Sequence, residues 1–162
     1  MVVAQLKVEL ITPFITSTQE TFATMMGIKA RRKQVYIKRG FEMYGEYSGV
    51  IGLSGATTGS CGLSLPASFA RHAVNRMLMT DDPDSLTDVD LRDGVGEMVN
   101  MVAGGAKTLL SSTRYKFNIT LPTIISGGRH EVFHRPGTYC VVVLLGADEG
   151  ETFALEVAVH PE

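Results

Sequence analysis

The 162-residue sequence has no tryptophan, only 7% aromatic residues and two cysteines. It also lacks any apolar run near the roughly 20 residues that a membrane-spanning helix needs. The longest run, Cys140 to Leu145, stops at Gly146. Nor is there an excess of one charge: 15 Lys and Arg stand against 17 Asp and Glu, a formal net charge of −2. With a pI near 6.1, the chain has no global electrostatic pull on nucleic acid, whose binding is dominated by phosphate neutralisation. Cys61 and Cys140 sit in apolar, strand-like runs without C-x-x-C spacing, which argues against a disulfide framework and predicts buried, reduced thiols. Cys61 as a nucleophile would need a neighbouring base or cation, and its surroundings in the sequence offer neither. The first ten residues start apolar but are interrupted by Lys7 and Glu9, with no signal-peptide pattern. These absences predict a cytoplasmic protein with no membrane and no nucleic-acid partner.

What is present is ordinary globular composition, 44% hydrophobic and 20% charged. The length suits one domain, or two small repeats sharing a core. Three- and four-residue spacing of Leu10, Phe14, Thr18, Thr21, Phe22 and Met25 predicts a helix within Glu9 to Met26. It should begin close to Pro13 and stop at Gly27. Alternation then predicts strands at 34–38, 47–53 and 60–65, the last two joined by the turn Gly55-Ala-Thr-Thr-Gly59. Pro66 opens a short helix to about Met79, and Thr87 to Asp90 reads as a capping box starting a helix that reaches about Ser112. Lys116 to Leu121, Arg129 to Phe133, Tyr139 to Leu145 and Thr152 to Val159 are the remaining strand candidates.

This order predicts an α/β domain of the α+β type: a two-layer fold with two long helices packed on a largely antiparallel sheet. Gly146-Ala-Asp-Glu-Gly150 before the last strand echoes Gly55 to Gly59, so residues 1–162 read as one domain of two degenerate helix-plus-strands units.

The chemistry concentrates on the second long helix. At about 100° per residue, Asp93, Glu97, Asn100, Gly104 and Lys107 fall within an arc of roughly 80°. Val95, Val99, Val102, Ala106 and Leu109 face the opposite way, with Met98 on a flank. The helix also carries four glycines, Gly94, Gly96, Gly104 and Gly105, each costing about 1 kcal/mol against alanine. Close approach of the first helix would explain some of them; Gly104, on the polar stripe, fits a docking surface better. Spacing alone leaves a solvated polar face as the ordinary reading of this stripe.

Four landmarks in order change that. Gly96-Glu97-Met-Val-Asn100-Met-Val-Ala-Gly104 with Lys107 is similar to an E-x-x-N helix. Thr120-Leu-Pro122-Thr123 with Ser126-Gly127 follows as a Pro-Thr segment. Val50 to Gly55 with Gly59-Ser60 matches a hairpin, and Glu20-Thr21 through Gly27-Ile28 a first-helix end. On these residues the sequence resembles the CheX branch of the CheC/CheX/FliY family of bacterial chemotaxis phosphatases. Family members with two sites carry E-x-x-N on both long helices; here Glu20 is followed by Ala23, so one site remains.

The resemblance implies hydrolysis of the aspartyl phosphate on a CheY-type response-regulator receiver, and a homodimer. It gives Asn100 and Glu97 the catalytic positions, and the other members of the polar stripe, Asp93, Gly104 and Lys107, are the expected contact with the partner. Mg²⁺ would belong to the receiver, with no cofactor held by this chain. Catalysis of phosphoryl transfer is mostly positioning and charge stabilisation. An amide suits an attacking water: its carbonyl accepts a water proton, while its NH₂ does not repel phosphoryl oxygens. Glu97, one turn earlier, would anchor the helix by an ion pair. A receiver-binding adaptor without activity, or a structural relative of the flagellar switch, would use the same helix differently.

Other signals are read more plainly. His130 and His134 share helical metal-ligand spacing but lie in a strand-and-turn region with no third ligand near in sequence, and are expected on the surface. The glycines at 52, 55, 59 and 62 precede a strand and lack Gly-Lys-Ser/Thr, so they mark a hairpin and not a phosphate loop. Six basic residues between Lys29 and Arg39 suit a charged edge strand that resists aggregation. The eight methionines are expected to fill the core.

Overall fold

The computed structural model describes residues 8–147 and 150–160. Helix α1 runs over Val8–Thr21 and continues as a π-helical turn, Phe22–Met26. Pro13 lies inside α1, not at its start. A proline in a helix interior costs about 3 kcal/mol. Leu10 and Ile11, 1% and 7% exposed, offset this by entering the core, at about 1.5–3 kcal/mol each. Gly27 ends the element at φ 64°, as its position predicts, and the carbonyl of Phe22 accepts from the Ile28 N–H at 3.0 Å. The π turn directs Phe22 into a stack with Phe69 and Phe153.

Among the described residues seven strands form one sheet, β1 (Arg31–Ile37), β2 (Tyr47–Gly55), β3 (Gly59–Leu65), β4 (Phe117–Ile119), β5 (Thr123–Ser126), β6 (Tyr139–Gly146) and β7 (Thr152–Val159). Their order is β1-β6-β7-β3-β2-β4, with β5 also on β2, and every pairing between them is antiparallel. Helices α2 (Ala67–Leu78) and α3 (Asp88–Leu110) join α1 on one face. The fold is thus three helices on a seven-stranded antiparallel sheet, the α+β arrangement that the sequence predicts. At Gly59, where the backbone turns into β3, any Cβ would collide with the carbonyl of Ala158.

Two strand expectations change. Arg129 to Phe133 is no strand; it contributes one bridge, Glu42 to Glu131. Thr123–Ser126, outside every expected strand, is β5, because it finds a distant partner in Tyr47 to Val50 of β2. Together β4 and β5 divide one edge of β2 between them. At their junction Thr120 restores the ladder, donating its N–H to the Gly52 carbonyl at 3.0 Å and accepting from the Gly52 N–H through Oγ1 at 2.8 Å. The suggested echo of the 55–59 turn at 146–150 includes Asp148 and Glu149, which lie outside the described residues, as do Met1 to Lys7.

The inner face of the sheet carries Ile51, Leu53, Cys61, Leu63, Leu65, Phe153, Leu155, Val157, Val143 and Leu145, all buried under the helices. On the outer face Cys140, Val142, Ala154 and Ala158 form a second, smaller buried cluster. Met26, Met43 and Met98 are buried as expected, but Met25 is half exposed and Met79 is 87% exposed at a left-handed helix end.

Candidate functional site

Helix α3 is fixed at both ends and along its inner side. Thr87 accepts from the Asp90 N–H at 3.2 Å, and the Asp90 carboxylate accepts from the Thr87 N–H at 2.8 Å. This is the capping box that Thr87-Asp-Val-Asp90 predicts. Asp88 adds a hydrogen bond from the Tyr47 hydroxyl and an ion pair with Arg92 at 2.8 Å. Val95, Met98, Val99, Val102, Ala103 and Ala106 are fully buried. Leu109, placed with them by periodicity, is instead 48% exposed, since it lies on the last turn beside Leu110, which takes the buried position.

The four glycines separate by what surrounds them. A Cβ at Gly94 would press into Val74 of α2; at Gly96 it would reach Ile124 Cδ1 of β5 at 3.0 Å; at Gly105 it would strike Ser17 Oγ of α1. Each therefore lets a neighbouring element close onto α3. A Cβ at Gly104 meets nothing within 4 Å. The one glycine on the polar stripe has no internal packing role.

Along that stripe Asp93, Glu97 and Asn100 are exposed, and Gly104 and Lys107 are half-buried. Among the described residues, the side chains of Asp93, Glu97, Asn100 and Lys107 find no hydrogen-bond or ion-pair partner. A carboxylate and an amide one turn apart thus stand ready to meet groups from outside. The Pro122-Thr123 segment leads into β5, whose Ile124 touches α3 at Gly96. Just before it, Leu121 is 88% exposed. Beyond the other end of the stripe, Lys107, Ser111, Lys116 and Asn118 help line a cleft of about 360 Å³. Lys116 was not singled out from the sequence. The only signal for it is a second lysine placed just past the helix end.

The remaining candidates fall elsewhere. His130 and His134 are half-buried, not on the surface. His130 Nε2 lies 2.7 Å from Ser48 Oγ, while His134 Nε2 is buried with no hydrogen-bond partner. Burial also holds the His134 imidazole below its ordinary pKa. Cys61 and Cys140 are free and buried. Burial pushes the Cys61 thiol up to about 12, which removes it as a nucleophile at neutral pH. Burial, and then the Glu156 carboxylate, raise the Cys140 thiol as well. In the basic segment β1 is an exposed edge strand, as the sequence predicts. Lys38 departs from it: its ammonium is buried against both oxygens of Glu156 at 2.9 and 3.0 Å.

The profile of the family described as "Chemotaxis phosphatase CheX" matches residues 47–145, more than half of the chain. No curated protein sequence matches it. Among solved structures, the chemotaxis protein CheX from Desulfovibrio desulfuricans is 28% identical with a TM-score of 0.83, covering 94% of this chain and 100% of its own. A CheC-like superfamily protein from Shewanella sp. PV-4 is 29% identical with a TM-score of 0.85, covering 96% and 100%. CheX of Borrelia burgdorferi, in a complex with CheY, BeF₃ and Mg²⁺, shares the fold at 19% identity, with a TM-score of 0.79 over 96% of this chain and 100% of its own.

Proposed function

Because the chain belongs to the CheX family of chemotaxis phosphatases, we propose that it hydrolyses the aspartyl phosphate of a CheY-type receiver domain. The observation that carries this reading is the pair Glu97 and Asn100, exposed and without a partner among the described residues, one turn apart on a helix that is otherwise packed on the sheet. The Borrelia relative was crystallised with CheY, which supports a receiver as the partner.

Asn100 aligns the water that attacks the phosphorus in line. The bond from phosphorus to the aspartyl oxygen breaks, the receiver's carboxylate is restored, and inorganic phosphate leaves. The amide accepts a hydrogen bond from the water and adds no charge beside the phosphoryl oxygens. Glu97 pairs with a cation of the receiver and sets the height of the helix over the site. Asp93 and Lys107 extend the contact along the stripe, and the bare backbone at Gly104 lets the receiver approach closely. Mg²⁺ is held by the receiver, where it neutralises phosphoryl charge. The chain acts as one domain and as a homodimer. The β1 edge, with Val35 and Tyr36 exposed on it, supplies the contact between copies.

The test is the lifetime of the phosphoryl group on a panel of receivers from the same genome, with wild type, Asn100→Ala and Gly104→Leu compared. The expected result is accelerated loss from one receiver, abolished by Asn100→Ala with docking retained and by Gly104→Leu with docking lost. Binding without any acceleration by wild type would leave an adaptor in place of an enzyme.

A further inference from the structure

On the face of the sheet away from the helices, three ligand types converge from three segments. Cys140 on β6 and Glu156 on β7 lie one diagonal step apart, since Val142 is the residue paired with Glu156 and Ala158 the one paired with Cys140. Cys140 Sγ is 3.4 Å from Glu156 Oε1. The chain between β5 and β6 brings His134 over them, and donor atoms of His134, Cys140 and Glu156 all lie within 4.8 Å of one another. We propose that these three side chains form a binding site for a borderline-soft divalent cation of the Zn²⁺ class.

The donor set sets the class. A mixed set of imidazole nitrogen, thiolate sulfur and carboxylate oxygen suits Zn²⁺ and Co²⁺, whereas Mg²⁺ and Ca²⁺ take oxygen ligands alone. Bonds of about 2.0–2.3 Å to a tetrahedral ion ask the three donors to draw inward modestly, with the fourth position left to water.

Two features support a cation site here. His134 Nε2 is buried and has no hydrogen-bond partner among the described residues, a condition that buried polar atoms ordinarily avoid. The Lys38 ammonium meanwhile occupies a cation position, held by both Glu156 oxygens and 3.4 Å from Met43 Sδ. A Lys38–Glu156 pair alone would not require an orphaned imidazole nitrogen and a thiol beside it. Metal entry exchanges one cation for another: Lys38 swings out into the cleft of about 330 Å³ that Tyr36, Lys38, Met43 and Glu156 help line. Cys140 loses its proton to solvent as its sulfur binds.

The experiment is titration of the full, EDTA-treated protein with Co²⁺, followed by competition with Zn²⁺. One equivalent should produce the near-ultraviolet thiolate-to-cobalt band and the intense visible bands of a tetrahedral site, and Zn²⁺ should abolish both. Cys140→Ser should remove the thiolate band, with Cys61→Ser leaving it intact. His134→Gln should weaken binding about tenfold or more, the least that loss of a metal's supporting contacts costs. Lys38→Met should tighten binding, since the competing ammonium is gone. Should Cys140→Ser fail to fold, Cys140→Ala takes its place, with circular dichroism as the check. Absence of the thiolate band in both wild type and Lys38→Met, or its persistence in the Cys140 variant, overturns the proposal.

Discussion

Ser17 Oγ on α1 donates a 2.7 Å hydrogen bond to the carbonyl of Val102 on α3, across the gap left by the missing side chain of Gly105. Ser17 is only 2% exposed, so the bond answers a buried hydroxyl and locks the two long helices in register. A methyl group at position 105 would push that hydroxyl off its acceptor.

Gly105→Ala should therefore destabilise the fold by about 1–2 kcal/mol despite alanine's better helix propensity, because an overpacked contact and an unsatisfied hydroxyl both count against it. Gly104→Ala, facing open space, should stabilise by up to about 1 kcal/mol. Urea midpoints of the two variants provide the comparison, and equal shifts would refute the assignment of packing to one and access to the other. Adding Ser17→Ala to Gly105→Ala should recover part of the loss in a double-mutant cycle.

Glu97→Gln keeps shape and removes charge. The expected outcome is a receiver affinity weakened about tenfold, near 1.4 kcal/mol, with a flatter dependence on salt and a smaller change in the rate from the bound complex. Isothermal titration at two ionic strengths, beside single-turnover dephosphorylation, separates the two effects. A rate collapse with unchanged affinity would instead make Glu97 a participant in the proton's path.

Thr87→Ala deletes one half of the capping box and should cost about 1 kcal/mol. Since Glu97 and Asn100 lie well inside the helix, receiver turnover at low temperature should stay near wild type. A large loss of activity with an unchanged melting temperature would contradict this.

Glu42 and Arg129 tie the chain around residue 42 to the segment after β5, with 2.8 Å between Arg129 Nε and a Glu42 oxygen. The hydrogen bond from Arg129 holds the Glu42 carboxyl below its ordinary pKa. A depressed folded-state pKa means that the contact stabilises at neutral pH and fades as pH falls through that lower value. The protection of the amides around Glu42 and Glu131, relative to the intrinsic exchange rate at each pH, should fall in acid below the ordinary carboxylate range. Arg129→Gln should show fast exchange already at neutral pH.

Local chemistry made much of this fold legible. The capping box at Thr87 and Asp90, the stop at Gly27 and the strand Thr152–Val159 all depend on neighbours in sequence. The stripe from Asp93 to Lys107 followed from helical geometry alone. What escaped depended on distant partners. Pro13 sits inside α1 because Leu10 and Ile11 are drawn into the core. Thr123–Ser126 becomes a strand because β2 has a free edge there. His130 and His134 have no third ligand near them in sequence, and only the sheet register brings Cys140 and Glu156 beneath His134. The α3 glycines could be counted from sequence, but only the elements pressing on them told Gly104 from the other three.

The polar face of α3, proposed to meet the receiver, is the back of a helix whose front is sunk in the core and whose sides are wedged by α1, α2 and β5. Such a helix behaves as a jig, not a glove. Its backbone keeps positions 97 and 100 at a fixed spacing whether or not a partner is present, so the ordering entropy that falls on this chain at encounter is confined to the exposed side chains. Any adjustment of fit is left to the receiver. A receiver whose loops are already closed around their phosphoryl group would be taken up fastest, and the phosphorylated form would be distinguished by its own shape.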